Sequence, residues 1–152
     1  DDRHSDRYGA GVNYFLPASA LYESKALRAN DGLRLTAQWI QGLDGELRRR
    51  GWYVQSSYRY SFPERLIADR YFRSVEPLVR YGVLNPNLSP VAQLPGTWDR
   101  KELVLGLLIE VTGEVMFKVE YAFHGERTGG FEDTGPASVD NDELMVELLL
   151  EF

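Results

Sequence analysis

Residues 142–152 alternate with a period of two: Leu144, Val146, Leu148, Leu150 and Phe152 fall at every second position, with Glu143, Met145, Glu147, Leu149 and Glu151 between them. Successive side chains of a β-strand point to opposite faces, so this segment predicts a strand with one continuous apolar face that ends on an aromatic ring. The same period recurs upstream. Residues 7–16 set Tyr8, Ala10, Val12, Tyr14 and Leu16 against Arg7, Gly9, Gly11, Asn13 and Phe15, and Pro17 is expected to end that strand. Residues 32–41 set Leu33, Leu35, Ala37 and Trp39 against Arg34, Thr36 and Gln38. Residues 51–62 place Trp52, Val54, Tyr58, Tyr60 and Phe62 opposite Tyr53, Gln55, Ser57 and Arg59, with Ser56 the one weak apolar position. Residues 75–84 alternate Val75, Pro77, Val79, Tyr81 and Val83 with Glu76, Leu78, Arg80 and Gly82; Pro77 lacks an N–H, which predicts a bulge or a strand start there.

Residues 102–111 and 115–124 carry the longest apolar faces: Leu103, Leu105, Leu107, Ile109 and Val111 on one, Val115, Phe117, Val119, Tyr121 and Phe123 on the other. Only Thr112, Gly113 and Glu114 separate them, which requires an antiparallel hairpin. Between strands, the Ala, Leu, Glu and Lys of 19–30 favour a short helix with Ser19 as its cap, although a strand at 21–28 is the alternative. Residues 42–50, with two glycines and three consecutive arginines, read as a solvated turn. Residues 63–73, 85–101 and 125–141 read as connections, the first with room for a helical turn. The expected fold is all-β and antiparallel, with seven or eight strands and no separate second domain.

Composition narrows the partners. A net charge of −6 and a pI near 5.0, with no basic patch, exclude nucleic acid as the expected partner. Without cysteine there are no disulfides, thiolate metal sites or cysteine nucleophiles. The longest apolar run, 103–109, is interrupted by Gly106 and is far short of the roughly 18 residues of a membrane-crossing helix. Strands are another matter: 152 residues hold seven or eight crossings at about 9–11 residues each. A hydrophobic content of 43% with mean hydropathy −0.35 suits strands with one wet face. No basic segment followed by an apolar run opens the sequence, so a secretory signal is expected to have been removed or to lie outside it.

Alternation alone leaves two readings, an apolar face turned into a soluble core or turned out to lipid. The aromatic residues favour lipid. With Phe152 on the periplasmic side, Tyr14, Tyr60, Phe62, Phe117 and Phe152 fall at the periplasmic ends, and Tyr8, Trp39, Trp52, Tyr81, Tyr121 and Phe123 near the outer ends. Aliphatic residues fill the middle. A soluble core has no reason to sort its rings to both ends, whereas a membrane barrel carries a girdle at each interface.

The closing strand with its terminal Phe resembles the last strand of bacterial outer-membrane β-barrels. More specifically, the stretches Gly51-Trp52-Tyr53-Val54-Gln55-Ser56-Ser57-Tyr58 and Val75-Glu76-Pro77-Leu78-Val79-Arg80-Tyr81, Gly11-Val12-Asn13-Tyr14-Phe15, and the hairpin from Glu102 resemble the C-terminal part of the phosphate-selective porin O and P family. That resemblance implies a sixteen-stranded, trimeric channel passing small anions by diffusion, with its last strand presented to the barrel-assembly machinery. The chain departs from the pattern in charge: the inferred lumen face mixes Arg7, Arg34, Arg59, Arg80 and Lys118 with Glu76, Glu102, Glu110, Glu120, Glu143, Glu147 and Glu151, so no cationic ladder for phosphate is visible.

The expected function is therefore passive diffusion of small ions and solutes across the bacterial outer membrane, without a cofactor or enzymatic step. Expected pore-lining residues are Arg34, Gln38, Gln55, Arg59, Glu76, Arg80, Glu110, Lys118, Glu120, His124 and Glu147; those expected against lipid are Trp39, Trp52, Tyr58, Tyr60, Tyr81, Leu105, Leu107, Phe117, Tyr121, Phe123 and Phe152. The alternatives are a non-conducting structural or adhesive barrel and a soluble lipocalin-like barrel around an apolar ligand. Catalytic signatures are missing. His4 and His124 have no metal-ligand spacing, no serine lies in a G-x-S-x-G elbow, and there is no phosphate-binding glycine loop. Glu110 and Glu120, able to face each other across the hairpin, and the carboxylates Glu132, Asp133, Asp140 and Asp142 read as solvated groups, not as an acid–base pair or a Ca²⁺ loop.

Three consequences are open to measurement. Seven strands cannot close in the even-numbered manner of single-chain bacterial barrels, so 7–16 and 143–152 are expected to pair with strands outside this sequence, making it part of a barrel of about sixteen. Arginine at Leu107, near mid-membrane, is expected to cost roughly 2–4 kcal/mol, and at Gly106 far less. Deleting Phe152 should lower outer-membrane yield more than it weakens the folded barrel, because one ring adds only about 1.5–3 kcal/mol of burial; equal yields of truncated and parent protein would refute this.

Overall fold

Every alternating segment forms a strand, and nearly all run past the end of their alternation. The computed structural model describes residues 5–20, 28–44, 47–62, 71–87, 98–112, 114–128 and 138–150. These form β1 (Ser5–Pro17), β2 (Gly32–Asp44), β3 (Leu47–Ser61), β4 (Ser74–Asn87), β5 (Trp98–Thr112), β6 (Val115–Thr128), β7 (Ser138–Asp140) and β8 (Glu143–Leu150). Each of the first six pairs antiparallel with its successor, and β7 and β8 both pair with β6, at 125–127 and 115–122 respectively. The last two are thus one strand position interrupted at Asn141 and Asp142. The sheet is all-β, antiparallel and open: among the described residues β1 pairs only with β2, and β8 only with β6.

Register carries the alternation across the whole sheet. Tyr14 lies opposite Leu35, Leu35 opposite Ser56, Ser56 opposite Val79, Val79 opposite Leu105, Leu105 opposite Tyr121 and Tyr121 opposite Leu144. One face is therefore apolar throughout, and the other carries the charges. Burial inverts the soluble pattern. Leu105 is 45% and Phe117 41% exposed on the apolar face, while Glu120 at 4% and His124 at 6% are buried on the charged face. Among the described residues no second layer covers either face of this sheet. On the charged face long side chains pair across strands and cover one another, whereas those of the apolar face stand apart.

Several expected connections are strand instead. Residues 42–50, read as a turn, continue β2 and β3: Gly42 pairs with Arg49, Leu43 with Arg48 and Asp44 with Leu47. Backbone pairing is indifferent to side-chain polarity, so the ribbon runs on beyond the apolar stretch and the arginines ride on it. For the same reason β4 extends to Asn87 and β5 begins at Trp98, inside the expected loop 85–101, and β6 reaches Thr128 while β7 forms inside 125–141. The expected helix over 19–30 is represented by a single 3-10 turn at Ala18–Ala20; residues 21–27, like 63–70, lie outside the described residues. Pro77 makes no bulge: the β3–β4 register is the same on both sides of it, and only the pairs at Tyr58 and Arg59 against Pro77 and Glu76 are missing. The 112–114 hairpin forms as expected, with one register shift between Glu110 and Thr112.

Two packing details lay beyond the sequence. Asp31, fully buried, accepts hydrogen bonds from Ser61 Oγ at 2.6 Å and the Arg28 amide at 3.1 Å, tying the β1–β2 connection to the end of β3. Beside it Gly32 has φ of 152°, and a Cβ there would overlap the Leu16 carbonyl, so only glycine can open β2. At Gly106 the arginine substitution expected to be mild meets a steric obstacle that the sequence does not show. The Leu78 side chain, 7% exposed, lies over this glycine, and a Cβ would sit 2.7 Å from Leu78 Cγ. Gly106→Ala should cost about 1–2 kcal/mol through overpacking, measured by urea unfolding, and Leu78→Ala in the same chain should remove most of that penalty; additive losses would show that the two do not share the space.

Candidate functional site: the charged face

Strand alternation delivers every expected pore-lining residue to one face. Arg34, Gln38, Gln55, Arg59, Glu76, Arg80, Glu110, Lys118, Glu120, His124 and Glu147 all occupy register positions of the charged side. The residues expected against lipid, Trp39, Trp52, Tyr58, Tyr60, Tyr81, Leu105, Leu107, Phe117, Tyr121 and Phe123, all occupy the opposite side, and Phe152 lies outside the described residues.

On the charged face the ions are paired across strands. Arg34 on β2 reaches over β3 to Glu76 on β4 at 3.6 Å, and Arg59 on β3 reaches over β4 to Glu110 on β5. Ser57 donates to Glu76 at 2.6 Å and Ser74 to Glu110 at 2.8 Å. These bonds surround the place where the β3–β4 ladder is interrupted. Pro77 supplies no donor there, and side chains bridge the gap that the backbone leaves. Farther along, Arg80 meets Glu102 at 3.4 Å, Arg100 meets Glu126 at 2.9 Å, and Lys118 lies 3.0 Å from Glu120 and 3.2 Å from Glu147.

The distribution is lopsided. Arg7, Arg34, Arg49 and Arg59 supply the described charges of this face on β1 to β3, while Glu102, Glu110, Glu120, Glu126, Glu143 and Glu147 crowd β5, β6 and β8. Like charges on neighbouring strands repel, so Arg59 reaching across β4 to Glu110 offsets part of that cost.

Three sequence expectations change at this face. Glu110 and Glu120 do not oppose each other: Glu110 faces Met116, and Glu120 faces Gly106. His124, without a partner in its local sequence, lies between carboxylates from two other strands, 3.5 Å from Glu102 on β5 and 3.9 Å from Glu143 on β8. Neither ring nitrogen makes a hydrogen bond among the described residues. Glu126 and Arg100, absent from the expected lining, belong to the same face, because β5 and β6 extend past the stretch whose alternation is visible. Of the acidic loop residues, Asp142 accepts a hydrogen bond from the Tyr121 hydroxyl at 3.1 Å. No group of three or more His, Cys, Asp or Glu among the described residues is arranged to hold a metal ion.

The opposite face carries aromatic and aliphatic side chains row by row. Trp39 pairs directly with Trp52, whose ring meets Tyr81 edge-on at 5.7 Å, and Tyr121 meets Phe123 at 4.7 Å. Val12, Ala37 and Val54 share the next row with Tyr81 and Phe123, and Val79 and Leu105 share the one after it with Tyr14 and Tyr121. Beyond the tryptophans the same face turns polar at Gln41 opposite Arg50, and Lys101 lies in the tryptophan row itself, opposite Val83. Comparison of the chain with protein-family models, curated proteins and solved structures returned no match.

Proposed function

We propose that this sheet is a section of a bacterial outer-membrane β-barrel, its apolar face against lipid and its charged face lining an aqueous lumen through which small ions and solutes diffuse. One observation carries the reading: large apolar side chains such as Leu105, Phe117 and Leu148 are exposed on one face, while Glu76, Glu120, Glu126 and His124 are buried on the other. In water an exposed face with Leu105, Phe117, Tyr121 and Leu148 would be a severe aggregation liability, whereas in a bilayer it is the required surface. The apolar band has the right height. On β3 it runs from Trp52 to Tyr60, nine residues inclusive, against the roughly 9–11 of a tilted membrane strand. The strand residues beyond Trp52, including Arg49 and Arg50, then lie above the membrane surface.

The open edges complete the proposal. Unpaired backbone groups at membrane depth cost several kcal/mol each, so β1 and β8 are expected to pair with further strands, as in a barrel of about sixteen. The resemblance to phosphate-selective porins supports that size and a trimeric assembly; the mixed charges of the wall argue against phosphate as the preferred solute. A soluble lipocalin-like barrel would need its apolar face buried, whereas Leu105, Phe117 and Leu148 are exposed.

The test is conductance of the purified protein in planar lipid bilayers. Stepwise, ohmic current increments are expected. Insertion without current would favour the structural or adhesive barrel, and purification as a monodisperse protein without detergent would overturn the membrane assignment.

A further inference from the structure

On a wall where each strand contributes a side chain at every second position, a glycine leaves a gap. Gly82 on β4 lies between Tyr53 of β3 and Glu102 of β5, and Gly51 is diagonal to it on β3. Together they floor a depression of about 410 Å³ in the charged face, within the roughly 300–1,000 Å³ of small-molecule sites. Gln38 and Gln55 stand on one side of it, Arg80 and Glu102 on the other, with Tyr53 beside the glycines and the exposed side chains of Ile40 and Leu84, the latter against Gly51, completing the lining.

The chemistry of this lining is selective. Its cations are already matched: Arg80 by Glu102 at 3.4 Å, and Arg100 by Glu126 at 2.9 Å. An incoming anion would have to displace a carboxylate, and an incoming cation a guanidinium, so a free ion gains little here. A neutral polyhydroxylated solute faces no such cost. Each sugar hydroxyl both donates and accepts, as does each glutamine amide, and the Arg80–Glu102 pair places donors next to acceptors within reach of vicinal hydroxyls. The Tyr53 ring offers an apolar edge to the C–H surface of a sugar.

We infer that the depression floored by Gly51 and Gly82 is a binding subsite for a neutral saccharide of one or two rings. It concerns the wall itself and does not require that the lumen conduct.

Saturation-transfer NMR with trehalose, on the full chain folded in detergent micelles, tests it. Saturable transfer to the sugar ring protons is expected, undiminished by an equal concentration of inorganic phosphate. Gly82→Leu, which fills the depression, should abolish it, and Gln55→Leu should weaken it by about fivefold, the equivalent of one neutral hydrogen bond. Circular dichroism of each variant checks folding; should Gly82→Leu fail to fold, Gln55→Leu carries the test. No transfer in the parent, equal transfer in the folded variants, or displacement of trehalose by phosphate would each overturn the assignment. Trehalose binding by a protein that passes no current would refute the channel and leave the subsite standing, and current without trehalose binding would do the reverse.

Discussion

Arginine in place of Leu107 is expected to destabilise the protein by about 2–4 kcal/mol in a phospholipid bilayer. Leu107 lies on the apolar face with Pro77 on one side and Val119 on the other, between the level of Trp52 and Tyr81 and that of Tyr60 and Phe117. In a bilayer a charge there would lack water, and its register neighbours Pro77 and Val119 supply no counter-ion. Equilibrium urea unfolding of parent and variant in lipid vesicles measures the cost. A difference below about 1 kcal/mol would mean that this face meets water, and the membrane reading would fall with it.

Glu110→Ala should lose about 2–3 kcal/mol, somewhat below the roughly 3–5 of a fully buried pair broken on one side. The Glu110 side chain is 16% exposed and that of Arg59 22%, so solvent compensates only in part. The carboxylate also accepts from Ser74 at 2.8 Å, whereas Arg73, 53% exposed at 3.9 Å, should add little. Without it, Arg59 is left stretched across β4 with no partner, at the point where Tyr58 and Arg59 lack ladder pairs. Replacing both Arg59 and Glu110 by methionine should recover most of the loss, since the damage comes from the stranded charge. A single variant as stable as the parent would show that the side-chain lattice does not hold β3 to β5 together.

Period-two alternation is a local property, and what depends on it alone was legible in the sequence: the strands, their antiparallel order through the short 112–114 connection, and the assignment of Arg34, Glu76, Lys118 and Leu105 to their faces. Alternation fades where side chains on both faces become polar. The extension of β2 and β3 through Gly42 and Arg49 was therefore hidden, because backbone hydrogen bonds continue where no side-chain pattern marks them. Cross-strand partners were hidden for a different reason. The carboxylates beside His124 come from residues 22 positions before it and 19 after it, and Leu78 covers Gly106 from a neighbouring strand, so both depend on register. Which face is exposed and which is crowded was decided only by the tertiary structure. Alternation is symmetric between its two faces, and crowding arises from all the strands together.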